Sequence, residues 1–124
     1  MTQFALAAAS LYGLIGVLLG AFGAHALADR LTADMQAIWH TAVQYQFYHA
    51  LALLGVGLLA RQGVGSAGMS VATICFVLGT LVFSGSLYLL AFSGIRWLGA
   101  ITPIGGVLLI VGWAALLWAV LRGQ

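Results

Sequence analysis

Charge is what this sequence holds least of. Six of its 124 residues, or 5%, are Asp, Glu, Lys or Arg, whereas a soluble domain carries about 25%. They are Asp29, Arg30, Asp34, Arg61, Arg96 and Arg122. The four arginines are spread along the chain without a basic cluster, which excludes nucleic acid as a partner. A single cysteine, Cys75, excludes an internal disulfide and a cysteine-based zinc site. Inside an apolar run its thiol acts as a small hydrophobe. The two carboxylates lie five residues apart in one connector, which does not place them as an acid–base pair across a bond. No nucleophile–base pair is discernible either, so neither catalysis nor a cofactor is expected.

What is there is apolar: 64% of the residues are hydrophobic, with a mean hydropathy of +1.14. The charges leave four uncharged runs, Met1–Ala28, Met35–Ala60, Gln62–Ile95 and Trp97–Leu121, of 28, 26, 34 and 25 residues. A hydrocarbon core of about 30 Å takes roughly 20 apolar helical residues to cross. Each run suffices for one crossing and none for two. A soluble enzyme, a secreted disulfide scaffold and a disordered chain are thereby excluded. The expected fold is all-α, a polytopic membrane protein with a four-helix transmembrane bundle in one domain, residues 1–124. Its expected surroundings are a lipid bilayer.

The expected spans are Phe4–Ala24, His40–Ala60, Met69–Phe92 and Thr102–Leu121. The first run is expected to be a retained helix, because Met1-Thr2-Gln3 lacks the basic n-region of a secretory signal. On it Ala5, Ala9, Gly13, Gly16, Gly20 and Ala24 form a stripe of small residues, and Gly13, Gly16 and Gly20 are the candidate helix-packing positions. Thr32 is positioned to cap the second helix, with Asp34 in its first turn. Thr102 and Pro103 predict the start of the fourth, with Thr102 as cap, Pro103 at the first helical position and Leu98–Ile101 as a non-helical or tilted lead-in; the alternative is a helix from near Trp97 kinked at Pro103. Two arginines fall on each side of the membrane, and the terminal amine tips the expectation to both termini in the cytoplasm.

Polar side chains concentrate between Gln36 and His49. Gln36, His40, Gln44 and Tyr48 form one i+4 row, and Thr41, Tyr45 and His49 another. An amide or hydroxyl facing lipid is penalised, so these rows predict a bundle-facing, water-facing or partner-facing surface. His25, Trp39, His40, Gln44, Tyr45, Tyr48 and His49 are therefore the candidate polar face. It reads either as a pocket or proton path or as a hydrogen-bond network with Thr80, Ser84 and Ser86 of the third span. No histidine pair has i, i+4 spacing, so no metal site is expected. Arg96, Trp97 and Thr102 are a candidate lipid-headgroup site, with interface anchoring as the plainer reading.

Five segments resemble the YgdD-like family of small bacterial inner-membrane proteins. They are Gly20-Ala-Phe-Gly-Ala-His25-Ala-Leu27, Trp39-x-Thr-Ala-x-x-Tyr45-Gln46-x-x-His49-Ala-Leu, Phe83-Ser-Gly-Ser86-Leu-Tyr88, Ile101-Thr-Pro103-Ile-Gly-Gly106 and Gly112-Trp113. The resemblance covers almost the whole chain. It implies a multi-pass plasma-membrane protein of about four helices and implies no enzyme activity.

Three functions are compatible with these residues. A structural or accessory subunit, assembling with itself or with other membrane proteins, fits the small-residue stripe and the lack of a reactive set. A small-solute or proton transporter would use Gln44, Tyr45 and His49, though no carboxylate lies within a span. A lipid- or quinone-binding module would use Arg96, Trp97 and the helix start at Thr102.

Overall fold

The computed structural model describes residues 1–64 and 67–122. Without water to satisfy the backbone, a chain this apolar must pair its amides within helices. Four result: α1 (Thr2–His25), α2 (Ala33–Arg61), α3 (Ala67–Ser93) and α4 (Thr102–Arg122). Among the described residues there is no strand. The shortest, α4 with 21 residues, is about 31 Å long and still crosses the hydrocarbon.

The helix ends follow local chemistry. The Thr32 hydroxyl accepts the Met35 N–H at 3.2 Å and caps α2, with Asp34 in the first turn. The other end of α2 closes in a Schellman motif: Val64 N–H reaches Leu59 O and Gly63 N–H reaches Ala60 O, both at 3.0 Å. That turn requires the left-handed backbone at Gly63, φ +86°. Gly94, at φ +74°, ends α3 in the simpler form, its N–H on Leu90 O at 2.8 Å.

The start of α4 differs from the sequence expectation in two ways. The lead-in is a 3-10 turn over Arg96–Ala100. Thr102 is already helical, and its hydroxyl lies 2.6 Å from Ser86 Oγ of α3 rather than capping its own helix. In lipid a side-chain bond to a neighbouring helix satisfies the hydroxyl and holds two spans together.

Consecutive helices pack on one another, α1 on α2, α2 on α3 and α3 on α4. The middle pair buries the largest share of its residues, and α1 and α4 flank it. Ala9, Leu53, Val56, Met69, Ala72, Phe76, Leu109 and Ala119 form the main core, drawn from all four helices. Leu27, Trp39 and Ala91 close the end near the α1–α2 connector. On α4 the buried positions Gly105, Gly112 and Ala119 recur every seven residues. A Cβ at Gly105 would fall on the backbone N of Phe83 and lie 2.8 Å from its Cα. The backbones of α3 and α4 therefore touch there.

Candidate functional site

Lipid-facing and core-facing side chains are both apolar in a membrane protein, so polar side chains mark the interior more clearly than hydrophobic ones do. The centre of this interior is Gln46. It lies 13 residues after Ala33 and 15 before Arg61, at mid-length of α2, and is 3% exposed. Its Nε2–H donates to Tyr12 O of α1 at 2.8 Å, and its Oε1 accepts the Tyr88 hydroxyl of α3 at 2.7 Å. Tyr12 in turn donates its hydroxyl to Val77 O of α3 at 2.6 Å. One amide and two phenols thus tie three helices together. Ser84 adds a bond from α3 to α2, donating to Ala42 O at 2.7 Å.

His49 lies one turn further along the same face and is also buried. Its Nε2 faces the indole N–H of Trp113 on α4 at 3.0 Å. An indole only donates, so Nε2 is an acceptor. Its Nδ1 lies 2.8 Å from Tyr45 O, which only accepts, so Nδ1 carries the proton. The neutral imidazole is saturated on both sides, fixing α4 to α2 and leaving no nitrogen free to relay protons. Trp39 closes the connector end: its N–H donates to Leu19 O at 2.9 Å, its ring fills the space left by Gly23, and it meets Tyr88 edge-on at 4.7 Å.

The candidate polar face divides in two. Trp39 and His49 belong to this interior, together with Gln46, Tyr12 and Tyr88, which reading polar rows did not single out. Gln46 follows Trp39 by seven residues and precedes Ala50 by four, the spacing of one helix face, which is the signal that could have found it. His25, His40, Gln44 and Tyr48 are exposed, and Tyr45 is half-exposed with its ring 4.5 Å from Phe83. Of the expected third-span partners, Ser84 bonds α2, Ser86 bonds Thr102 instead, and the buried Thr80 hydroxyl has no partner among the described residues.

Arg96 and Trp97 are exposed, while Thr102 turns inward to Ser86, so the three do not converge on one headgroup pocket. Of the candidate packing glycines, Gly16 seats the ring of Phe47, and a Cβ at Gly20 would lie 3.5 Å from Val43. A Cβ at Gly13 would meet nothing within 4 Å.

The outward face of α2 is unusual. His40, Gln44, Tyr48, Leu51, Gly55 and Leu58 line it, opposite the buried row of Ala42, Gln46, His49 and Leu53. Depth is read from the neighbouring helix. Gly16 faces Phe47 and Gly20 faces Val43, so Gln44 lies at the level of Val17, Leu18 and Ala21, which α1 exposes. An amide is therefore exposed at a level where α1 presents apolar side chains outward. Nothing lies within 4 Å of a Cβ built on Gly55, so this face is open to close approach.

Four spanning helices around a neutral hydrogen-bonded core define a multi-pass inner-membrane protein. Among the described residues no group of three or more His, Cys, Asp or Glu converges as metal ligands would. The chain belongs to the family described as "Protein of unknown function (DUF423)", which matches residues 19–106. It is 47% identical over 113 residues to a UPF0382 membrane protein of Staphylococcus epidermidis, covering 91% of each chain. It is 43% identical over 109 residues to the UPF0382 membrane protein YwdK of Bacillus subtilis, covering 88% of this chain and 89% of that one. To the UPF0382 inner membrane protein YgdD of Escherichia coli it is 39% identical over 121 residues, 98% of this chain and 92% of the other. No solved structure matches the chain.

Proposed function

We propose that the protein is a structural or accessory subunit that works by assembling within the membrane, its outward α2 stripe packed against a second copy, without catalysing a reaction. The observation that carries this reading is the exposed Gln44 amide, level with the apolar outer face of α1. In lipid such a group gains by pairing with a polar partner from another helix. Copies of one chain insert in the same orientation, so a two-fold axis normal to the membrane sets Gln44 opposite Gln44. A primary amide both donates and accepts, so the pair is self-complementary. Gly55, three turns further along, lets the two backbones approach. Both termini are proposed to face the cytoplasm, where the terminal amine joins Arg61 and Arg122.

Transport through the bundle is disfavoured by the same geometry. His49 has both ring nitrogens engaged, and Gln44 faces away from it. The test is mild-detergent sizing with mass measurement of the purified protein and of Gln44→Leu. A dimeric wild-type particle that Gln44→Leu converts to monomer supports the reading. A wild type that is monomeric at every concentration, with no co-purifying partner, overturns it.

A further inference from the structure

α1 and α3 both pack on α2, but Tyr12 is the main bridge between them, so their seam stands open toward lipid. Two adjoining hollows occupy the seam. One, of about 400 Å³, runs along Phe4, Ala7, Ala8 and Leu11 and is almost wholly apolar. The other, of about 180 Å³, is lined by Gln46, Thr80, Ser84, Gly85 and Tyr88 among others. Tyr12, Ile15 and Leu81 line both, so the hollows adjoin along the seam.

Beneath the smaller hollow, whose surface is as apolar as that of the larger, lies an unsatisfied group. Thr80 is 1% exposed, and its hydroxyl is the buried side-chain polar atom without a hydrogen bond among the described residues. Its methyl and hydroxyl share one carbon, and helical threonine populates two χ1 states, so one rotation turns the hydroxyl to the hollow that Thr80 lines. The Gln46 amide has a second N–H to offer, and the phenol oxygens of Tyr12 and Tyr88 can each accept. No charged residue lines either hollow.

Depth selects the occupant. Ser84 bonds Ala42 across antiparallel helices, which sets Thr80 level with Gln46 at mid-length of α2. A phospholipid headgroup stays at the interface and does not reach that level. A small uncharged head does. From Tyr12 to Phe4 the apolar hollow offers about 12 Å of helix length to a chain.

We propose that the α1–α3 seam is a lateral binding site for an uncharged membrane molecule with one apolar chain and a carbonyl or hydroxyl head, the head hydrogen-bonded by Thr80 beside Gln46. An isoprenoid quinone and a long-chain alcohol share this chemistry. The inference is independent of dimerisation, because the seam and the α2 stripe lie on different faces.

The test uses the full chain in quinone-free phospholipid nanodiscs, with decylubiquinone, decanol and decane as probes and the unfolding temperature as readout. Decylubiquinone, decanol or both are expected to raise it saturably, which tells the two sources apart, and decane is expected to leave it unchanged. Thr80→Val, which keeps the shape and loses the hydroxyl, is expected to bind about fivefold to tenfold more weakly. Thr80→Ser keeps the hydroxyl and is expected to bind as the wild type does. A shift with decane equal to the others would show chain occupancy only and overturn the proposal. So would unchanged affinity in Thr80→Val, loss of binding in Thr80→Ser, or no saturable shift with any probe.

Discussion

Gln46→Leu tests how the interior is held together. The change removes the bond to Tyr12 O and the partner of the Tyr88 hydroxyl. An interhelical hydrogen bond in a membrane averages about 0.6 kcal/mol and reaches about 1.7. A buried hydroxyl left unpaired costs about 1–3 kcal/mol. Together these place the loss at about 2 kcal/mol, partly offset by the new apolar side chain. Tyr88→Phe removes one bond and is expected to cost about 1 kcal/mol. The double variant has no orphaned hydroxyl, so it is expected to be more stable than the sum of the single effects by about 1 kcal/mol. Reversible unfolding in bicelles, followed by steric trapping, measures all four corners of the cycle. Additivity within about 0.3 kcal/mol would show that Gln46 and Tyr88 are uncoupled and refute the tied-helix reading.

The other expectations concern packing and helix ends. Gly105→Ala drives a Cβ into the backbone of Phe83, which no side-chain rotation relieves, and is expected to cost about 1–3 kcal/mol in the same assay. Gly13→Ala meets nothing within 4 Å and is expected to leave stability unchanged or slightly raised, separating the open glycine from the packed ones. Thr32→Ala removes the α2 cap and is expected to cost about 1 kcal/mol, with hydrogen exchange rising first at Met35.

The fold was legible in the sequence because lipid leaves the backbone so little choice. Six charges bound four apolar runs, and each run had to become a helix. The cap at Thr32 could be read for the same reason that caps can be read in soluble proteins: its hydroxyl has a free N–H three residues on. Which face of each helix turns inward was much harder to read. In water apolar periodicity reveals the buried face, but in a bilayer both faces are apolar and the period fades. The exposed Leu51 and the buried Leu53 illustrate this, since nothing in their own chemistry separates them. Polar rows at i+4 on α2 traced the outward stripe through His40, Gln44 and Tyr48, and passed over Gln46 because its neighbours on the helix face are Ala42, Ala50 and Leu53. Tyr12 and Tyr88 were hidden for a different reason. Tyr12 stands alone on α1 and Tyr88 ends the Thr80–Ser84 row of α3, and only the fold brings them to Gln46.

Assembly through α2 is tested most directly by disulfide scanning in native membranes, in a Cys75→Ser background. Cysteines are placed singly at positions 44, 46, 48, 50, 51, 53 and 55. Cross-linked dimer is expected at 44, 48, 51 and 55, with little at 46, 50 and 53, which face the interior. Equal cross-linking at every position, or none at 44 and 48, would contradict a second copy seated on this stripe.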